Sequence, residues 1–140
     1  MKYLLDTCVI SEMVKPRPNK GVVQWLSERG EETLFLSVLT IGEIQKGIAK
    51  LVDGKRKESI QTWLDEDLRL RFSERILAVD EDVASTWGII QGNAERGGRS
   101  IPTIDGLLGA TAIAHNLSVV TRNEDDIGMT GARIVNPWNQ

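Results

Sequence analysis

Short apolar runs alternate along this chain with longer stretches in which apolar side chains recur at helical spacing. No other feature restricts the fold as much. Lys2–Leu5, Thr33–Leu36, Leu117–Thr121 and Arg133–Val135 have the length and the content of buried strands, and Arg75–Val79 is a further strand or an extended link. Helical patterns lie between them. Val9–Val14 is a short helix closed by the Pro-rich segment 15–19, and Gly21–Arg29 puts Val22, Trp25 and Leu26 on one stripe. Leu39–Leu51 repeats Ile41, Ile44, Ile48 and Leu51, and Arg56–Arg71 aligns Ile60, Trp63, Leu64 and Leu68. Asp82–Arg96 runs to a Gly97-Gly98 stop, and Thr103–His115 carries Gly106, Gly109, Ala110 and Ala112 for close packing. Strands separated by helices imply an α/β fold, with a central, mostly parallel sheet of about four to five strands flanked by helices.

The chain has 140 residues, enough for one domain spanning 1–140 with a sizeable core. Its 41% hydrophobic and 26% charged content is that of a globular protein rather than a disordered one. The single cysteine, Cys8, excludes an intrachain disulfide. No apolar run reaches bilayer-spanning length, and no basic segment followed by an apolar stretch and a cleavage site opens the sequence. The expectation is a cytoplasmic protein without membrane contact. A net charge of −3 argues against a protein that holds nucleic acid by phosphate neutralisation alone. It leaves room for an enzyme that grips phosphate through metal ions, because the ligands of such ions are acids.

Ligands of parallel sheets bind beyond the carboxyl ends of the strands. Asp6 ends the first strand, and Arg122-Asn123-Glu124-Asp125-Asp126 leaves the strand at 117–121. Glu43 and Asp105 lie near the starts of helices that can point at the same edge. Four carboxylates brought together repel unless they share protons or bind a cation. Oxygen ligands without a His/Cys cluster suit Mg²⁺ or Mn²⁺. Each acid also has a purely structural explanation. Asp6 can cap the next helix, and Thr40-x-x-Glu43 fits a capping box. Asp105 complements a helix dipole, and residues 123–126 fit an ordinary polar loop.

Taken together, "LLDTCVIS", "LSVLTIGEIQKGI", "IPTIDGLLGATAIAHNLSVVTRNEDDI" and the closing "NPW" resemble PIN-domain ribonucleases, in order and over nearly the whole chain. The similarity is greatest to VapC-type toxins of toxin–antitoxin pairs, in the FitB-like group. The resemblance implies a PIN-like fold and a Mg²⁺- or Mn²⁺-dependent endoribonuclease. It implies that Asp6, Glu43 and Asp105 are core metal-binding acids and that Asp126 is the fourth, with Asp125 the less favoured neighbour. Thr7, Thr121 and Asn123 take supporting positions. The implied partners are RNA, a small VapB- or FitA-like antitoxin whose basic side chain enters the acidic site, and a second copy of the chain in a homodimer or a larger assembly. The alternative is a PIN-fold module that binds a partner or RNA without cleaving. One departure stands out: the family usually places Asn where Cys8 stands. A buried thiol there is a small apolar filler, or else a soft ligand better suited to Zn²⁺ than to Mg²⁺.

Lys46, Lys50 and Arg122 flank the acids and are candidate RNA contacts, although solvated surface charge explains the two lysines equally well. Trp25 and Trp63 lie on amphipathic stripes that fit a core or a helix bordering the antitoxin groove. The haloacid-dehalogenase phosphatase pattern needs a second Asp two residues after the first, where Cys8 stands, and residues 121–123 lack the lysine of a receiver-like pocket.

Overall fold

A computed structural model describes residues 1–139. Its strands are β1 (Tyr3–Leu5), β2 (Leu34–Ser37), β3 (Ile76–Leu77), β4 (Ser118–Val120) and β5 (Ile134–Val135). They form one sheet in the order β3-β2-β1-β4-β5, and every pairing is parallel. Helices α1 (Thr7–Met13) and α2 (Lys20–Ser27) connect β1 to β2. Helix α3 (Val38–Ala49), α4 (Lys55–Thr62) and the one-turn α5 (Arg69–Arg71) lead to β3. Helices α6 (Glu81–Arg96) and α7 (Thr103–Ala114) return the chain to β4, and α8 (Glu124–Gly128) leads to β5. From β1 the chain winds outward to β3, then crosses back to the other side of β1. The winding direction therefore reverses between β1 and β4, and their carboxyl edge is the topological switch where such sheets bind ligands.

The sheet buries both faces, which is why its central strands are continuously apolar. Leu4 and Leu5 are both fully buried, yet they serve different cores because successive strand side chains point oppositely. Leu5 packs with Val9, Trp25, Leu36, Phe72 and Val120, whereas Leu4 packs with Leu108, Val119 and Ile127. β1 is thus clamped from above and below directly before Asp6. No helix among the described residues is long and apolar enough to cross a membrane.

Two elements depart from the sequence expectation. The stretch expected as one helix over 56–71 is interrupted by a π-helical segment, Trp63–Leu68. Ile60, Leu64, Leu68 and Phe72 recur every fourth residue, and in an α-helix each such step drifts by about 40°. The wider π turn absorbs that drift, and Leu64, Leu68 and Phe72 are all buried. The second departure is α8, where only a polar loop was expected.

Helix α7 approaches the turn between α8 and β5 closely at Gly109. A Cβ there would stand 2.5 Å from the Cβ of Thr130. Thr130 has no room to yield, because its buried hydroxyl donates to the Ile127 carbonyl at 2.6 Å and accepts from the Ala132 N–H at 3.2 Å. Gly109→Ala is expected to lower stability by about 1–3 kcal/mol through overpacking, despite the better helix propensity of Ala. A shift of the urea midpoint measures this, and an unchanged or raised midpoint would contradict it.

Candidate active site

Asp6 follows β1 and is the N-cap of α1. Its backbone N–H donates to the Val120 carbonyl at 3.0 Å, which ties it to β4. One carboxylate oxygen, Oδ1, accepts from the Thr7 N–H at 2.8 Å, and Oδ2 accepts from the Thr121 hydroxyl at 2.8 Å. Asp6 is therefore both a helix cap and an oriented acid, and it is 8% exposed. Thr121 is fully buried, and its Oγ1 also accepts from the Asn123 N–H at 2.9 Å, so the start of the β4–α8 loop is fixed relative to Asp6.

Glu43 projects from α3. The capping-box explanation does not apply to it: the N-cap of α3 is Ser37, whose buried hydroxyl accepts from the Leu39 N–H at 3.0 Å, and Thr40 lies inside the helix. Glu43 Oε1 instead accepts from the Thr7 hydroxyl at 2.6 Å. Asp105 sits in the first turn of α7. The Asn123 amide donates to Asp105 Oδ2 at 3.2 Å and to Asp126 Oδ2 at 3.5 Å. Asp126 is half-buried beside Asn123, whereas Asp125 is exposed. Thr7, Thr121 and Asn123 thus each hold at least one of the four acids.

An open pocket of about 490 Å³ is lined by Asp6, Thr7, Cys8, Glu43, Asp105, Arg122 and Asn123. Asp126 is not part of this lining and reaches it through the Asn123 amide. Burial first, then the charges of Asp6, Asp126 and Glu43, push the Asp105 carboxyl above its ordinary pKa. That repulsion is what a bound cation relieves, and the all-oxygen donor set has the chemistry of a Mg²⁺ or Mn²⁺ site. Among the described residues no three acidic, His or Cys side chains are already closed into a ligand cluster. Asp6, Glu43 and Asp105 line one pocket, and their oxygens fit a hard cation by type.

Cys8 Sγ lies 3.7 Å from both Asp6 Oδ2 and Thr121 Oγ1. Burial first and the Asp6 charge next push its thiol up, which keeps it protonated at neutral pH and makes it a poor soft ligand. Lys46 and Lys50 are exposed and line no part of the pocket; Arg122 does. A second, apolar groove of about 300 Å³ adjoins the pocket and shares Thr7 and Glu43 with it. Ile10, Val14, Ile44, Leu51 and Trp63 form its walls.

The PIN domain model matches residues 3–128. Toxin FitB of Neisseria gonorrhoeae is 38% identical over 97% of this chain and 98% of its own. VapC ribonuclease Y4jK of Sinorhizobium fredii is 35% identical over 96% of each. Among solved structures, FitAcB from Neisseria gonorrhoeae superposes with a TM-score of 0.92 at 38% identity, covering 99% of both chains.

Proposed function

The chain belongs to the PIN domain family, and from that membership we propose that it is a metal-dependent endoribonuclease, the toxin of a VapBC-type toxin–antitoxin pair. The observation that carries this reading is the gathering of Asp6, Glu43 and Asp105 around one pocket at the switch between β1 and β4, with Asp126 joined to Asp105 through the Asn123 amide, and with Asp105 pushed above its ordinary pKa by burial first and then by the charges of the other three. These four acids are the proposed holders of Mg²⁺ or Mn²⁺. Such an ion, when bound, supplies Lewis acidity to the scissile phosphate and to a water. The chain's own contribution is orientation. Thr121 aims Asp6, Thr7 aims Glu43, and the Asn123 amide sets Asp105 and Asp126 against each other. Arg122, exposed and lining the pocket, would meet an RNA phosphate.

The apolar groove beside the pocket suits the tail of a small antitoxin. Its apolar side chains would bury against Ile44 and Trp63, and a basic side chain reaching past Thr7 would neutralise the acids and exclude the cation. A single cytoplasmic domain that pairs as a homodimer, or within a larger complex with its antitoxin, completes the reading.

Cleavage of a fluorescent single-stranded RNA in Mg²⁺ or Mn²⁺, lost on adding EDTA, tests the proposal; cleavage that persists in EDTA would sink it. Cys8→Ser and Cys8→Asn are each expected to cleave within about threefold of wild type, since the thiol's contacts to Asp6 and Thr121 are weak ones that a hydroxyl or an amide can take over. Loss of cleavage in both, with the circular dichroism unchanged, would give the thiol a role this reading denies it.

A further inference from the structure

Arg122 is the one cation among the residues that line the pocket of Asp6, Glu43 and Asp105. A long, flexible guanidinium beside Asp6, Glu43 and Asp105 has an obvious lower-energy place to go, into the acids, where it would occupy the space a metal ion needs. It does not go there. Among the described residues it makes no ion pair. Its guanidinium carbon lies instead 5.6 Å from the centroid of the Trp138 ring. That distance is within cation–π range, and stacking on a ring face leaves the in-plane N–H donors available.

Trp138 is itself well anchored. It sits in the C-terminal turn Pro137–Asn139, which packs against α2, and its ring lies against the core cluster that includes Leu5 and Val9. Its backbone N–H donates to Asn136 Oδ1 at 3.0 Å. Beneath it lies Glu12 of α1, a buried carboxylate that the catalytic reading does not use. Glu12 accepts from Lys15 Nζ at 3.0 Å and from the Asn19 N–H at 2.9 Å. These contacts, with a smaller one from the Trp138 side chain, hold its carboxyl below the ordinary range.

We propose that Trp138 is a positioning residue of the active site: its ring holds Arg122 at the pocket rim, out of the carboxylates, where the guanidinium receives a phosphate of the RNA strand. The Trp138 ring prevents the protein from blocking its own metal site. The RNA half of this inference rests on the nuclease reading; the metal half does not.

The test compares wild type, Trp138→Leu, Trp138→Phe, Arg122→Gln and the double variant Trp138→Leu/Arg122→Gln. Mn²⁺ affinity is read without RNA by electron paramagnetic resonance of the free ion, and KM and kcat are read on a single-stranded RNA oligonucleotide. Trp138→Leu is expected to weaken Mn²⁺ binding by about two- to fivefold, the range a cation–π contact sustains. It should raise KM by a similar factor with little change in kcat, and flatten the slope of log KM against log salt by about 0.7, one phosphate contact. Removing the guanidinium as well should restore Mn²⁺ affinity, which general structural damage would not do. Trp138→Phe, which keeps a ring face and loses the indole N–H, should match wild type. Wild-type Mn²⁺ affinity and KM in Trp138→Leu, no recovery in the double variant, or a Trp138→Phe protein that behaves like Trp138→Leu would each overturn the proposal. If Trp138→Leu does not fold, Trp138→Met, with its longer side chain, takes its place, alone and combined with Arg122→Gln, with the same expected and overturning results. A wild-type protein that binds Mn²⁺ but cleaves no RNA would defeat the nuclease reading, while the Mn²⁺ measurements still decide whether Trp138 keeps Arg122 out of the acids.

Discussion

Asp6→Asn is expected to cut metal-dependent RNA cleavage by about a thousandfold while leaving the protein folded. Metal-ion catalysis contributes several kcal/mol of transition-state stabilisation, and each ~1.4 kcal/mol is tenfold in rate. Asp6 is the most constrained of the four acids, fixed through its backbone to β4 and through its side chain to Thr7 and Thr121. Asn keeps the size and remains a good N-cap, so Oδ1 still accepts from the Thr7 N–H and α1 still starts there. What it loses is the charge and the second acceptor oxygen. The Thr121 hydroxyl can turn to accept from the new amide. A thermal midpoint near wild type with cleavage at background is the expected pair of results. Equal cleavage by the two proteins would remove Asp6 from the chemistry and with it the nuclease reading.

Asp105→Asn is expected to move stability and activity in opposite directions. The folded state holds the Asp105 proton more tightly than the unfolded chain, because burial and three neighbouring carboxylates disfavour its charge. Stability from that difference is full below the ordinary carboxylate pKa and is lost as pH rises through the raised folded value. At neutral pH in EDTA the wild type therefore carries the repulsion uncompensated, and the Asn variant should melt a few degrees higher. Lowering the pH below the carboxylate range should close the gap, since both side chains are then neutral. Added Mn²⁺ should reverse the order. At about 100 times its Kd an ion bound only to the folded state contributes about 2.7 kcal/mol, and the variant, short of one ligand, gains less. RNA cleavage by the variant should fall at least about a hundredfold. An Asp105→Asn protein that melts lower than wild type in EDTA would mean that the carboxylate is held by attractions the structure does not contain.

Some of this could be seen in the linear chain. Asp6, Glu43 and Asp105 stood out because each follows a strand or opens a helix, and such positions are marked by local periodicity. The capping-box pattern at Thr40 and Glu43 was misleading for a definite reason. Ser37 and Thr40 are both good caps, and only the pairing of Ser37 with Leu77 in the sheet makes Ser37 the last strand residue. Helix α8 was hidden because its five residues include one apolar side chain, Ile127, too few to show a period. The π segment was hidden because its apolar spacing fits an ordinary helix until the core is in view.

By itself the sequence determined the α/β class, the order of the strands and longer helices, and which acids stand at their ends, because burial of alternating faces is imprinted on every short window of the chain. Tertiary structure alone decided that the winding reverses between β1 and β4, that Thr7 serves Glu43 and Thr121 serves Asp6, and that Arg122 meets a tryptophan from the C-terminal turn. Those outcomes depend on strand order and register. Strand order and register are set by the packing of two cores against opposite faces of one sheet, a balance summed over residues far apart in the chain that no short window contains.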